Sequence, residues 1–334
     1  MKNLATEPIK RPVIWALLLP EAGFRSQVMG LAEALNALVH GTVIEKNVDL
    51  RAPWRYLPST LCPLPLVGLT ANSDHLATPW PDLVIGCGRR TIPLALAIKR
   101  MSAGLTKAVF IQDAKAATPE FDLVFPMHHD GLQGPNVIAV DTALHRVTSE
   151  KLETGRDHWR ARFEGLQRPL IGVVLGGSTA SLRFTEACAR DLVSKLKHLA
   201  HVTGAGFVIT PSRRTDHEAL AVIRDFASRQ SNTWLWDGQN ENPYFGILGL
   251  SDALILTEDS VSMVSEALFA GKPVATVPLV GNARRHKLFI DNLMAKGAIT
   301  RFDGTLPPAS GVTIPNATLR AADAVRALLE GTRS

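Results

Sequence analysis

The stretch "PLIGVVLGGSTASLRFTEACARDL" at 169–192 follows the plan of "PVIWALLLPEAGFRSQVMGLAEAL" at 12–35. Each opens on a proline, runs through a short apolar segment, turns through glycine and continues as an amphipathic helical pattern. A strand, a tight turn and a helix, begun twice in one chain, point to two α/β domains of similar plan. At 334 residues the chain also exceeds what one hydrophobic core usually supports.

The pattern extends outward from both copies. The sequence predicts strands at 13–19, 42–48, 82–85, 108–112, 121–125 and 136–140, with helices at 25–39 and 91–101. After the restart come strands at 206–210, 233–236, 252–256 and 274–277. Helices interleave at 182–199, 216–229, 243–250, 260–270 and 284–296, and the tail reads as helical over 317–329. Short apolar runs alternating with helices imply parallel sheets, doubly wound. The boundary is expected near 165. That gives a loose tail at 1–11, a first domain at 12–165 and a second at 166–334, with a cleft between them at the strand C-termini, where ligands bind in such folds. The proline-rich stretch 51–80 has little periodicity and reads as a long loop over one domain face.

Composition removes several classes. With 46% hydrophobic and 20% charged residues, extended disorder is not expected. The net charge of +5 is spread along the chain, without a basic tail or an RNA-reading aromatic motif, so an anionic ligand fits and a nucleic-acid partner does not. Three distant cysteines, Cys62, Cys87 and Cys188, form neither a disulfide framework nor a C-x-x-C motif, which favours a reducing, cytoplasmic setting. The apolar run at 13–19 is shorter than the ~20 residues a bilayer needs.

Four stretches carry chemistry. Gly176-Gly177-Ser178 follows a buried strand and precedes a helix, so its backbone N–H groups suit a phosphate oxygen; a tight βα turn without a ligand reads equally well. At the end of a predicted strand, Ser212-Arg213-Arg214-Thr215 sets two guanidinium groups between hydroxyls, a plausible diphosphate grip, against the plain reading of a solvated face. Asp259 or Ser260 caps a short helix stopped by Gly271 and Pro273. Glu258 then stays at the helix mouth while Glu266 lies about 9 Å further along, by a rise of ~1.5 Å per residue. Sugar, diphosphate and ribose have that spacing: Glu258 for the sugar, first-turn amides for phosphate, Glu266 for ribose hydroxyls. A capping Asp259 with a solvated Glu266 is the plain alternative. Finally, His129 and Asp130 follow a strand end and suit proton removal, although a polar loop explains them too.

The E-x7-E from Glu258 to Glu266, followed by Ala-Leu-Phe-Ala-Gly-Lys-Pro-Val, is similar to the donor half of GT-B glycosyltransferases. With "SRRT" (212–215), "NPY" (242–244), "TEDSVSMVSEA" (257–267), "GFRSQ" (23–27), "GRRT" (88–91) and "FDLVFPMHHD" (121–130), the chain resembles the mitochondrial fission factor (elongated mitochondria) family, which includes bacterial proteins read as GT-B glycosyltransferases. The resemblance covers nearly the whole chain. It implies a GT-B fold of two Rossmann-like domains, acceptor binding in the first and nucleotide-sugar binding in the second, and a last helix that crosses back. It brings Asn242 and Tyr244 into the donor set.

No Asp-x-Asp occurs to hold a divalent ion against a diphosphate; the helix dipole and the arginines can take that role. The expected activity is therefore metal- and cofactor-independent transfer of a sugar from a nucleoside-diphosphate sugar to a glycolipid or saccharide acceptor of the cell envelope, lipopolysaccharide or lipid-linked, with peripheral contact at the inner face of a membrane. Two other readings stay open: a non-catalytic adaptor in membrane or organelle fission, and a nucleotide-sugar epimerase.

Overall fold

The computed structural model describes residues 11–331. All of the expected tail at 1–11 except Arg11 lies outside them. The chain divides into two compact units, one formed by residues up to Arg146 together with those from Asn316, the other by Val147–Pro315.

The first unit runs β1 (Val13–Leu18), α1 (Ala22–Val39), β2 (Thr42–Asn47), β3 (Leu83–Cys87), α2 (Thr91–Met101), β4 (Lys107–Ile111) and β5 (Leu123–Phe125). Its sheet is wholly parallel in the order β2-β1-β3-β4-β5. β1 and β3 are apolar because both of their faces are covered. β2, "TVIEKN", lies at the edge and is largely exposed. Residues 136–140, expected as a strand, make only isolated bridges, Val124 to Val137 and Met127 to Val140. Stretch 51–80 is indeed irregular, with one 3-10 turn at Ser59–Leu61.

The second unit runs α3 (Ser149–Phe163), β6 (Leu170–Leu175), β7 (Leu182–Arg183), α4 (Glu186–Thr203), β8 (Gly206–Pro211), α5 (His217–Ser228), β9 (Thr233–Leu235), α6 (Tyr244–Leu250), β10 (Ala253–Thr257), α7 (Val261–Phe269), β11 (Val274–Val277), β12 (Val280–Gly281), α8 (Arg284–Ala295) and β13 (Thr300–Arg301). The main sheet is parallel, β13-β11-β10-β6-β8-β9, and β7 pairs antiparallel with β12. The helix expected at 182–199 begins later, at Glu186, because Leu182 and Arg183 are drawn into the β12 pair and the Thr185 hydroxyl accepts from the Cys188 amide at 3.3 Å to start α4.

The division of the chain falls at 146/147 rather than near 165. Helix α3 is polar along most of its length and falls on the first-domain side of the expected boundary, yet it packs on α6 of the second unit through glycines. A Cβ at Gly246 would lie 2.5 Å from the Trp159 ring, and one at Gly249 2.7 Å from the Leu152 carbonyl. The final helix, α9 (Ala317–Gly331), joins the first unit: Ala317, Ala321, Ala322, Val325 and Leu329 are buried in the same core as Val28, Leu31 and Leu35 of α1. Thr318 Oγ1 accepts from the His145 amide at 2.9 Å, tying α9 to the chain just before the division. Among the described residues no helix is long and apolar enough to cross a membrane.

Candidate functional site

In the second unit the strand order reverses at β6: β8 and β9 lie to one side, β10 and β11 to the other. The C-terminal ends of β6 and β10 therefore border the crevice where open α/β sheets bind ligands. Asp259 stands at that point with its carboxylate wholly buried. It accepts from the Gly177 amide at 3.1 Å, from Thr257 Oγ1 at 2.7 Å and from the Arg214 guanidinium at 2.9 Å. Thr257 Oγ1 in turn accepts from the Gly176 amide at 2.7 Å. The glycines are needed for this closeness: a Cβ at Gly176 would lie 2.0 Å from the Asp259 carboxylate, and one at Gly177 1.8 Å from the Arg214 carbonyl.

The Gly176-Gly177-Ser178 turn thus differs from the phosphate cradle expected of it. The amides of Gly176, Gly177 and Ser178 already donate to Thr257, Asp259 and the Arg214 carbonyl. No helix opens behind the turn, since α4 starts only at Glu186. The Ser178 hydroxyl donates to Asp216 and accepts from the Phe184 amide. With Arg183, Phe184, Thr185 and Glu218, these two residues line a cavity of about 400 Å³.

The Ser212–Thr215 segment folds into a compact turn. Thr215 Oγ1 accepts from the Ser212 amide at 3.0 Å, and Ser212 Oγ accepts from the Arg214 amide at 3.1 Å. The turn carries Arg214 to Asp259 and leaves Arg213 exposed, with no ion-pair partner among the described residues.

Helix α7 starts as its sequence suggests. The Ser260 hydroxyl accepts from the Met263 amide at 3.3 Å. The amides of Val261 and Ser262 meet no acceptor among the described residues, as first-turn amides do until a ligand, a side chain or water supplies one. One turn and a half along, Glu266 accepts from the Tyr244 hydroxyl at 2.5 Å. Burial and the neighbouring Glu266 carboxylate push the Tyr244 phenol well above its ordinary range, so it remains a proton donor. Asn242 Oδ1 accepts from the Tyr244 amide at 2.9 Å and so sets the start of α6. Glu258 turns away from the helix mouth: its carboxylate accepts from Thr276 Oγ1 at 2.9 Å and pairs with Arg301 at 3.1 Å.

His286 belongs to this cluster and was not among the sequence-derived candidates. In sequence the run Arg284-Arg285-His286-Lys287 opens a helix and reads either as added positive charge at the cleft or as a surface patch. In the fold His286 lies on the first turn of α8, half-buried against Asp259. Desolvation pulls its imidazole below the ordinary value, and the Asp259 contact offsets part of that shift. The only sequence signal was its place at the start of a helix that follows a buried strand.

The candidates His129 and Asp130 lie in the first unit, on a 3-10 turn after β5. Their side chains are nearly buried, His129 Nε2 is 3.8 Å from Asp130 Oδ1, and Asp130 Oδ2 accepts from the Met127 amide at 3.2 Å. The structure therefore brings Gly176, Gly177, Ser178, Ser212, Arg214, Thr215, Asp259 and Ser260 into one neighbourhood and pairs Tyr244 with Glu266. Glu258 stands at the same strand end but faces β11 and β13.

Comparison with known proteins follows the same line. The family described as mitochondrial fission ELM1 matches residues 22–329. The mitochondrial fission protein ELM1 of Arabidopsis thaliana is 29% identical over 271 residues, covering 74% of this chain and 63% of that protein. The chain thus spans less than two thirds of the plant protein's length. Among solved structures, the UDP-GlcNAc 2-epimerase of Methanocaldococcus jannaschii superposes with a TM-score of 0.54 at 10% identity, over 96% of this chain and 100% of that one. MurG of Acinetobacter baumannii gives a TM-score of 0.51 at 14% identity, over 96% of this chain and 92% of that one. At such identities the likeness is one of fold, and the fold is GT-B.

Proposed function

The chain belongs to the mitochondrial fission ELM1 family, and from that premise we propose that its second unit binds a nucleoside-diphosphate sugar and that the protein transfers the sugar to an envelope acceptor, lipopolysaccharide or lipid-linked. One observation carries the reading. At the point where the strand order reverses, the open amides of Val261 and Ser262 begin a helix two residues beyond Asp259, which anchors Arg214, while Arg213 on the same turn as Arg214 is left unpaired among the described residues. A diphosphate fits there: the helix N-terminus and the guanidinium groups stabilise the charge that develops as the leaving group departs. Glu266, presented further along α7, takes the ribose hydroxyls, with Tyr244 holding its carboxylate in place.

The Gly176-Gly177 turn enters this reading in a revised role. It positions Asp259, and through it Arg214, instead of touching phosphate. His129, backed by Asp130, is assigned the acceptor's proton, and acceptor binding is assigned to the first unit. A binding scaffold without chemistry is the second reading, and Glu258 favours it: its carboxylate is engaged by Thr276 and Arg301 and is not free to meet a sugar.

The test compares Arg213→Ala and Glu266→Ala with the parent, titrating a nucleoside diphosphate and inorganic pyrophosphate. Arg213→Ala should weaken both ligands about tenfold, the equivalent of losing one charge-assisted hydrogen bond. Glu266→Ala should weaken the nucleoside diphosphate alone. Equal binding by both variants and the parent would place the diphosphate elsewhere.

A further inference from the structure

Residues 51–73 contain two arginines, Arg51 and Arg55, and no carboxylate. In the fold, 51–68 closes on itself. The Arg51 amide donates to the Gly68 carbonyl at 2.9 Å, and its guanidinium donates to the Val67 carbonyl at 3.1 Å. Trp54 fills the inside: its indole N–H donates to the Pro63 carbonyl at 2.8 Å, and a Cβ at Gly68 would lie 2.4 Å from its ring. Arg89 pins the loop from the β3–α2 turn through the carbonyls of Arg55 and Leu57, at 2.8 and 3.2 Å. Trp54, Leu66 and Leu69 pack on the first unit's core.

The loop's own interior is therefore provided for. Yet Tyr56, Leu61, Leu64 and Val67 point outward, with exposures of 74%, 70%, 75% and 56%. Leu64 has φ 43°, in the left-handed region that costs any residue carrying a Cβ. Strain that holds a leucine in water gains nothing for the fold, so the gain is sought outside it.

We propose that the 51–68 loop is a docking element for an anionic lipid bilayer. The pattern matches that surface. Leucine and valine side chains reach the acyl boundary, a tyrosine sits at headgroup level, and arginines meet lipid phosphates while their stems lie along apolar surface. Complementarity of charge decides for lipid: the loop offers cations without any carboxylate to repel an anionic headgroup. The nearest acid, Asp49 at the loop's base, is held by Arg90 at 2.6 Å and lies 3.8 Å from the Arg55 guanidinium, a looser pair that leaves Arg55 half exposed. The pre-closed loop also presents its apolar tips with little ordering left to lose on binding. This inference is independent of the nucleotide site.

Flotation with vesicles tests it, using phosphatidylcholine with and without phosphatidylserine, at low and high salt and without nucleotide. The parent should float with phosphatidylserine vesicles and be released by salt. Arg55→Gln should weaken the partition about fivefold. Leu61→Ser/Leu64→Gly should weaken it about tenfold for each leucine lost. Because glycine relieves the positive φ at 64, Leu64→Gly alone should keep or raise the thermal midpoint, which separates lost binding from lost folding. The proposal fails if the parent floats with neither vesicle, or if the double variant floats like the parent. It also fails if the loop instead mediates a concentration-dependent dimer that the double variant abolishes, since the occupant is then a second copy of this chain.

Discussion

Asp259 is a buried carboxylate with three donors, and each of them depends on it. Asp259→Ala would strand the Arg214 guanidinium and the Gly177 amide in place. Breaking a buried pair by removing one partner costs about 3–5 kcal/mol; Arg214 is half exposed, so solvent should reduce this to the lower end of that range or below it. A urea titration reads the loss directly. His286 gives a pH test in the same cluster. Its folded pKa is lowered, so the unfolded chain takes up a proton first as pH falls. Its share of stability is present above the unfolded value of about 6.5 and is lost as pH drops below that value towards the folded one. Thermal midpoints measured on either side of that value should therefore converge in His286→Gln more than in the parent. An unchanged pH slope in the variant would remove His286 from the cluster's electrostatics.

At the scale of elements, the glycine contact between α3 and α6 explains why a polar helix belongs to the second unit. Gly246→Ala would push a methyl into Trp159. Overpacking of this kind costs about 1–3 kcal/mol, visible as a lower urea midpoint with an unchanged m-value. Loss of the α7 cap in Ser260→Ala should cost about 1 kcal/mol. The same elements mark how far local sequence carries. Helix α7 was legible because cap, apolar face and Gly-x-Pro stop agree within the fourteen positions from Ser260 to Pro273. The apolar strands β1, β3, β6 and β10 were legible because central parallel strands are apolar on both faces. Helix α3 falls on the first-domain side of a boundary expected near 165, because its packing on the second unit rests on glycines of another helix. The start of α4 was read too early because the β7–β12 pairing comes from residues nearly a hundred positions later. In the site, the residue types at Arg213, Ser260 and Glu266 were visible. That Gly176 and Gly177 serve Asp259 instead of phosphate was not, since it depends on backbone approach across two strands.

For the whole molecule, the account rests on two parallel α/β units of GT-B type within the mitochondrial fission ELM1 family. Repetition of the strand–turn–helix opening announced two units. The position of their division did not follow from it, because α3 precedes the second opening and is held to the second unit by its packing on α6. The net charge of +5 suits a phosphate ligand and an anionic surface alike, so bulk charge cannot separate the two, and each needs its own ligand. The central claim is that the second unit holds a nucleoside diphosphate. Isothermal titration of the intact protein with UDP, GDP, ADP and CMP, with EDTA present, tests it most directly. The account predicts saturable binding of one diphosphate nucleotide that persists in EDTA and is weakened in Arg213→Ala. Failure of the protein to bind any of the four, with or without added divalent metal, would contradict it.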